Sequence, residues 1–248
     1  MPSPKLKKKR LDIMLVEKGI VSTRQRARGM IMAGKVMIEN IPVTKAGFLV
    51  LPGTKITVKE PDHPYVSRGG VKLAGALEDF GLSPAGRVAI DVGISTGGFT
   101  DCLLKGGAKK VFGIDVGYGQ VAMSVRKNPR VVLFERTNFR HFEPDLLDEK
   151  ADLAVMDVSF ISLTLLLPKL KDCLSANADC LLMVKPQFEL DRGLVGKGGV
   201  VREDHLRMEA VERVEKSAIK LGFQVQGRAD SHLPGPKGNR EVFLWLAI

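Results

Sequence analysis

The stretch Val88-Ala89-Ile90-Asp91-Val92-Gly93-Ile94-Ser95-Thr96-Gly97-Gly98-Phe99-Thr100 decides the fold. A strand-length apolar run passes directly into a glycine-rich turn, and the turn opens a helical pattern. Glycines there let the backbone run close to a ligand, and the unpaired amides at the helix start face it. Outward from this unit the rhythm repeats. Apolar strands are expected at 88–92, 111–114, 131–134, 153–156, 181–184, 223–225 and 242–246, and helix-length segments near 71–80, 99–105, 162–173 and 203–221. Such alternation specifies an α/β fold, a doubly wound and mostly parallel seven-stranded sheet with helices on both faces. Ligands of such sheets bind past the carboxyl ends of the strands.

Upstream the pattern differs. Leu11, Met14 and Leu15 have helical spacing up to Gly19; Ser22 or Thr23 offers an N-cap for a second helix, with Ala27, Met30 and Ile31 on one side and Gly34 as its stop. Val36, Ile38, Val43, Ile56 and Val58 read as short strands, with turns at Glu39-Asn40 and Pro52-Gly53. The segment Glu60-Pro61-Asp62-His63-Pro64 has no periodicity and marks a boundary. The expected organisation is a basic tail at 1–9, a small α+β domain at 10–60, a linker at 61–66 and the α/β domain at 67–248.

Charge follows the same division. Of the net +10, residues 1–60 carry 13 Lys and Arg against 4 Asp and Glu, and the rest of the chain carries 25 against 24. A basic module on a nearly neutral body gathers a polyanion, whether RNA, DNA or an anionic membrane. Cys102, Cys173 and Cys180 have no CxxC spacing, which argues against a disulfide framework and a structural zinc site. His63, His141, His205 and His232 are scattered, so no metal is expected. The apolar stretch after the basic N-terminus is interrupted by Asp12, Glu17 and Lys18, unlike a signal peptide, and no apolar run approaches the roughly 18 to 20 residues of a membrane span. A soluble, cytoplasmic protein is expected; oligomeric state is not readable, monomer or weak dimer.

The turn at 93–98 is the first candidate site. Asp115 ends the next strand, 22 residues after Gly93, where a carboxylate can accept from a ribose diol. Taken alone the turn suits a dinucleotide equally, and a tight turn without ligand is a third reading. Two features favour S-adenosylmethionine: the spacing is G-x-S-x-G-G rather than G-x-G-x-x-G, and Asp91 precedes the turn where it can face a cationic amino acid. The candidate cofactor residues are Asp91, Gly93, Ser95, Thr96, Gly97, Gly98, Phe99, Asp115, Asn138 and Asp157, with Asn138 offered to the adenine edge.

Four polar residues stand where core or solvent residues would suffice. Asp157 and Lys185 each end an apolar run, Lys72 starts the helix near the linker, and Glu241 introduces the last strand. Methyl transfer to a hydroxyl needs alignment and a proton acceptor. Lys185 serves as that base if desolvation, Lys72 and the cofactor's charge keep it partly neutral, while Asp157 and Glu241 act the other way; the alternative is that each lysine is an ordinary surface charge and each acid its salt-bridge partner.

These motifs resemble, over the whole chain, the TlyA family of ribosomal RNA cytidine 2'-O-methyltransferases, whose catalytic domain is similar to FtsJ-type enzymes. The likeness is carried by Ser67-Arg68-Gly69-Gly70-Val71-Lys72-Leu73, by the turn at 91–100, by Asp157-Val158-Ser159-Phe160-Ile161-Ser162, by Val184-Lys185-Pro186-Gln187-Phe188-Glu189 and by Gly238-Asn239-Arg240-Glu241. It implies a class I methyltransferase fold and assigns Lys72, Asp157, Lys185 and Glu241 to a catalytic Lys-Asp-Lys-Glu tetrad; Glu189 sits in a shared loop without an assigned role. The N-terminal domain resembles the small RNA-binding module named for the fourth small-subunit ribosomal protein, which points Arg10, Arg24, Arg28 and Lys35, with Arg68 of the second domain, at RNA. Ribosomal RNA or ribosomal subunits are the implied partners. The ending at Trp245-Leu246-Ala247-Ile248 is similar to the compact form of the family, which implies large-subunit 23S rRNA, with small-subunit 16S rRNA second. Two other functions stay open at this level: a non-catalytic ribosome-assembly factor and a membrane-active haemolysin.

Overall fold

The computed structural model describes residues 7–21, 23–58, 63–235 and 238–248. Most of the basic tail, Ser22 and the boundary residues Glu60-Pro61-Asp62 lie outside the described residues. The chain forms two compact units, Met1–Asp62 and His63–Ile248.

In the first unit, β1 (Lys9–Arg10) leads into α1 (Leu11–Glu17), followed by α2 (Arg24–Met32), β2 (Val36–Ile38), β3 (Ile41–Val43), β4 (Leu49–Val50) and β5 (Ile56–Val58). Thr23 Oγ1 caps α2 by accepting the Arg26 N–H at 3.2 Å. Glu39 and Asn40 both take positive φ, the mirror-image turn that joins β2 to β3 and pairs Ile38 with Ile41. The strands order as β3-β2-β5, and Leu11, Leu15, Ala27, Ile31 and Val36 are buried beneath the helices. The β1–β4 pair was not expected; two residues give no period to read.

The second unit holds α3 (Arg68–Asp79), β6 (Val88–Val92), α4 (Gly98–Lys105), β7 (Lys110–Ile114), α5 (Met123–Arg126), β8 (Val131–Phe134), β9 (Ala151–Met156), α6 (Leu167–Cys173), β10 (Leu174–Val184), α7 (Pro186–Glu189), α8 (Asp204–Lys220), β11 (Gln224–Asp230) and β12 (Val242–Ala247). They build one seven-stranded sheet, β11-β12-β10-β9-β6-β7-β8. The five central and edge strands from β8 to β10 run parallel, and β12 is antiparallel to both β10 and β11. Strand order and direction agree with the doubly wound, mostly parallel seven-stranded sheet expected from the sequence. Its two faces are buried separately: α3 and α4 cover one through Leu73, Phe99 and Leu103, and α6 and α8 cover the other through Leu167, Leu170, Val211 and Val214.

Three local expectations are corrected. β10 begins at Leu174 rather than near 181, because the polar stretch 175–179 continues the strand through a register shift. The helix expected over 162–173 splits into a 3₁₀ turn, Leu163–Leu165, and α6, with Pro168 in the first turn of α6 where no intrahelical N–H is needed. Residues 63–66, expected in the linker, pack onto the second unit: the Val66 N–H donates to Asp101 Oδ2 at 2.9 Å, and Lys105 caps the Pro64 carbonyl and lies 5.3 Å over the Tyr65 ring.

Candidate active site

The turn after β6 is built from three positive-φ residues, Gly93 at 87°, Ser95 at 49° and Gly97 at 91°. A Cβ on Gly93 would stand 2.7 Å from the Asp157 carbonyl, so only glycine lets the ends of β6 and β9 meet here. At the start of α4, Gly98 meets α3 in the same way. A Cβ on Gly98 would collide with Ser67 Oγ, and one on Gly70 would collide with the Tyr65 ring and reach the Gly98 carbonyl.

Asp115 fastens the turn from the end of β7, accepting the Ser95 N–H at 2.8 Å and the Gly117 N–H at 2.7 Å. Beside these residues lies a cavity of about 450 Å³ past the carboxyl ends of the strands. Gly93, Ser95, Asp115, Asn138 and Asp157 line it, together with Ser159, Phe160 and Ile161. Asn138 Oδ1 is already used in accepting the Arg140 N–H at 3.1 Å, which caps the 3₁₀ turn Phe139–His141.

The other expected cofactor residues are not in the lining, for separate reasons. Phe99 turns its ring into the core, 6.0 Å from Phe243. Gly97 and Gly98 face α5 and α3, and the Thr96 carbonyl accepts the Ala122 N–H at 3.1 Å. Asp91 is wholly buried beneath the turn. Its Oδ2 accepts from the Thr100 hydroxyl at 2.6 Å, and its Oδ1 has no partner among the described residues. Burial pushes the Asp91 carboxyl up to about 7, opposed by the Thr100 hydrogen bond and assisted by the negative charge of Asp157.

The four expected catalytic residues form two ion pairs. Lys185, just past β10, reaches Asp157 Oδ1 at 2.5 Å and donates to Ser159 Oγ at 3.0 Å. Lys72 of α3 is buried against Glu241, and its Nζ lies 4.0 Å from Met183 Sδ, two residues before Lys185. Val184 of β10 stands opposite Val242 of β12, so Lys185 and Glu241 leave the sheet from neighbouring positions. The two pairs therefore flank the end of β10.

Among the expected RNA-facing residues, Arg10 and Arg24 share one carboxylate. The wholly buried Asp12 accepts from Arg10 at 3.0 Å through both oxygens and from Arg24 Nε at 3.0 Å, while both guanidinium groups stay about half exposed. Arg28 and Lys35 are exposed without an ion-pair partner among the described residues. In the second unit, Arg68 donates to the Pro234 carbonyl at 3.2 Å.

Sequence reasoning left two residues without a role. Phe160 is 90% exposed at positive φ on the cavity rim, its ring 5.2 Å from Phe188. Glu189 is buried and accepts from Ser162 Oγ at 2.5 Å and the Leu163 N–H at 2.8 Å. The only signal for Phe160 is an aromatic in the short turn after Asp157. Among the described residues no helix is long and apolar enough to cross a membrane, and no group of three His, Cys, Asp or Glu could hold a metal ion.

The profile of FtsJ-like methyltransferases matches residues 65–248 and that of the S4 domain matches residues 9–56. The 16S/23S rRNA (cytidine-2'-O)-methyltransferase TlyA of Mycobacterium tuberculosis is 48% identical, over 96% of this chain and 89% of its own length. Hemolysin A of Brachyspira hyodysenteriae is 39% identical over 96% of this chain and all of its own. A solved structure of a Streptococcus thermophilus protein superposes with a TM-score of 0.76 at 39% identity, covering 98% of this chain and 89% of that one. With its seven-stranded sheet, its paired lysines and acids and this likeness along nearly its full length, the chain belongs to the TlyA family, with an FtsJ-like methyltransferase domain and an S4 RNA-binding domain.

Proposed function

We propose that the chain methylates the 2'-hydroxyl of a cytidine in ribosomal RNA, with 23S rRNA as the first substrate to test and 16S rRNA as the second. One observation carries the reading: the Lys185–Asp157 pair stands at the cavity that the Gly93 turn opens, so a donor site and a hydroxyl-binding site adjoin. The residues fit S-adenosylmethionine on three counts. The cavity volume falls in the roughly 300–1,000 Å³ range of small-molecule sites. Asp115 keeps lone pairs for a ribose diol after binding the turn amides, and the unpartnered Asp91 oxygen puts negative potential under the turn. When bound, S-adenosylmethionine supplies an electrophilic methyl group on a sulfonium.

The protein's own part is alignment. Lys185 is ion-paired with Asp157 and donates to Ser159 Oγ, which holds its ammonium where it can also orient the ribose hydroxyl. With the donor bound, the hydroxyl oxygen would take the methyl as the carbon–sulfur bond breaks, and its proton would pass to the Lys185–Asp157 pair, whose carboxylate has the free lone pairs. Lys72 and Glu241 hold the far side of the same strand end, and Phe160 offers an aromatic face to the target base. Exposed Arg28 and Lys35, with the half-exposed Arg10 and Arg24, are the phosphate contacts of the S4 unit. Mass-spectrometric mapping of rRNA from cells with and without the gene tests the reading: a 2'-O-methylcytidine that disappears with the gene is the expected result, and identical maps would overturn it.

A further inference from the structure

Two turns form the outer wall of the site, and the catalytic pair alone does not hold them together. The first, 157–163, carries Asp157, Ser159 and Phe160; the second, 185–190, carries Lys185, Phe188 and Glu189. Their catalytic ends meet through Lys185, Asp157 and Ser159, and their outer faces meet through the Phe160 and Phe188 rings. Between these contacts lies Glu189, a carboxylate only 3% exposed. Its Oε2 accepts from the Ser162 hydroxyl at 2.5 Å and its Oε1 from the Leu163 N–H at 2.8 Å. From the other side Arg213 of α8 donates to the Glu189 carbonyl at 2.9 Å, so the carboxylate is held on a fixed base.

Burying a carboxylate is unfavourable unless it is fully hydrogen-bonded, and burial pushes the Glu189 carboxyl up even against its two donors. An apolar residue would pack this position without that penalty. What the carboxylate adds is direction: it fixes Ser162 and Leu163, two and three residues after Phe160, which stands in the left-handed region where a bulky side chain is strained. Without an anchor at 162–163, the turn can relax Phe160 out of that conformation and move its ring off the rim.

We propose that Glu189 is a positioning residue for the RNA substrate: its carboxylate locks the 157–163 turn so that Phe160 faces the target base and Ser159 stays in reach of Lys185. This rests on the methyltransferase reading above, and its consequences are separable from it. Losing the lock weakens engagement of RNA and leaves the donor side, anchored by Gly93 and Asp115, untouched.

The experiment is steady-state methylation of rRNA from cells lacking the gene, together with calorimetric binding of S-adenosylmethionine, for wild type, E189A, E189Q, F160A and E189A/F160A. E189A is expected to raise the RNA KM about tenfold, the scale of losing one base–aromatic stack, with S-adenosylmethionine affinity within twofold of wild type. E189Q is expected to recover most of the loss. Its amide oxygen accepts from Leu163, and its NH₂ donates to Ser162 Oγ once that hydroxyl turns to Thr164 Oγ1, 2.7 Å away. The double variant is expected to be little worse than F160A, since both changes remove the same presented ring.

A wild-type RNA KM in folded E189A, or E189A and F160A effects that multiply, would overturn the proposal. If E189A does not fold, S162A removes one half of the lock: a severalfold rise in RNA KM supports the proposal, and a wild-type KM overturns it. A wild-type protein that transfers no methyl at all defeats the methyltransferase reading instead, an outcome that cannot be confused with an active enzyme indifferent to E189A.

Discussion

The two units use carboxylates in opposite ways. In the first, one buried acid, Asp12, holds two arginines whose heads remain half in water; in the second, Glu241 and Asp157 hold lysines that are themselves nearly buried. A guanidinium left in solvent keeps a charge to offer a phosphate, and its carboxylate sets only direction. A buried ammonium has surrendered its hydration, so its geometry matters more than its long-range field. On the proposed function, capture and chemistry are thereby separated, with the basic excess confined to the unit that holds, among its described residues, no lysine–acid pair of the second kind.

Four perturbations can break or sharpen this contrast. The largest effect is expected from Lys185→Ala or Asp157→Ala, either of which should lower methyl transfer on the order of a thousandfold with S-adenosylmethionine binding retained. Near-wild-type turnover in both would show that the pair is structural, like its counterpart in the first unit.

Lys72→Ala comes second, because it leaves Glu241 as an uncompensated buried charge. A loss of about 3–5 kcal/mol is expected for the second unit. Trp245, the sole tryptophan, packs 5.5 Å from Phe80 and reports urea unfolding of that unit by its fluorescence. Arg24→Ala should cost far less, since Asp12 keeps Arg10 and the removed group is half in solvent. Equal losses would erase the distinction between the two kinds of pair.

The third is a pair of opposed acid responses. Hydrogen bonds from Arg10, assisted by Arg24, bring the Asp12 carboxyl down to about 2 from the ordinary 3.8. The folded first unit therefore releases that proton more readily than the unfolded chain, and its stabilisation is lost as pH falls from about 4 to about 2. Burial brings Asp91 up to about 7, so the folded second unit binds its proton more tightly and loses stability as pH rises from about 4 to about 7. Asp91→Asn should flatten that slope in urea midpoints followed by Trp245. A slope unchanged by the substitution would place its origin elsewhere.

The smallest effect belongs to Arg28→Ala and Lys35→Ala. Each should weaken RNA binding uniformly across sequences and reduce the salt slope of log affinity by roughly 0.7–0.9. A salt slope identical to wild type would remove that residue from the phosphate contacts.

The inner parallel strands β6, β7 and β9 are legible because each is a buried apolar run, whereas the polar edge strand β11 runs on to Asp230, past the expected 223–225; Asp157 and Lys185 can be singled out because a charge ending such a buried run has nowhere ordinary to go. Which lysine meets which acid was not legible. That depends on Val184 lying opposite Val242, and strand order across a sheet leaves no local trace. Phe160 was equally hidden, since an aromatic in a turn reads as core until its backbone angle turns it outward. The boundary was misplaced by a few residues for a related reason: Pro64 and Tyr65 look like linker composition, yet Lys105 and Asp101 of α4 hold the stretch down.

The meeting of α3 with α4 at Gly70 and Gly98 has a further implication. Gly70 and Gly98 add no side chain where the helix that carries Lys72 meets the helix that follows the Gly93 turn, and Ser67 and Tyr65 fill the space beside them, so neither helix can shift without pushing the other. If the proposed site is right, the floor beneath one reactant and the arm that reaches toward the other behave as one rigid casting, whose tolerance is smaller than a methyl group.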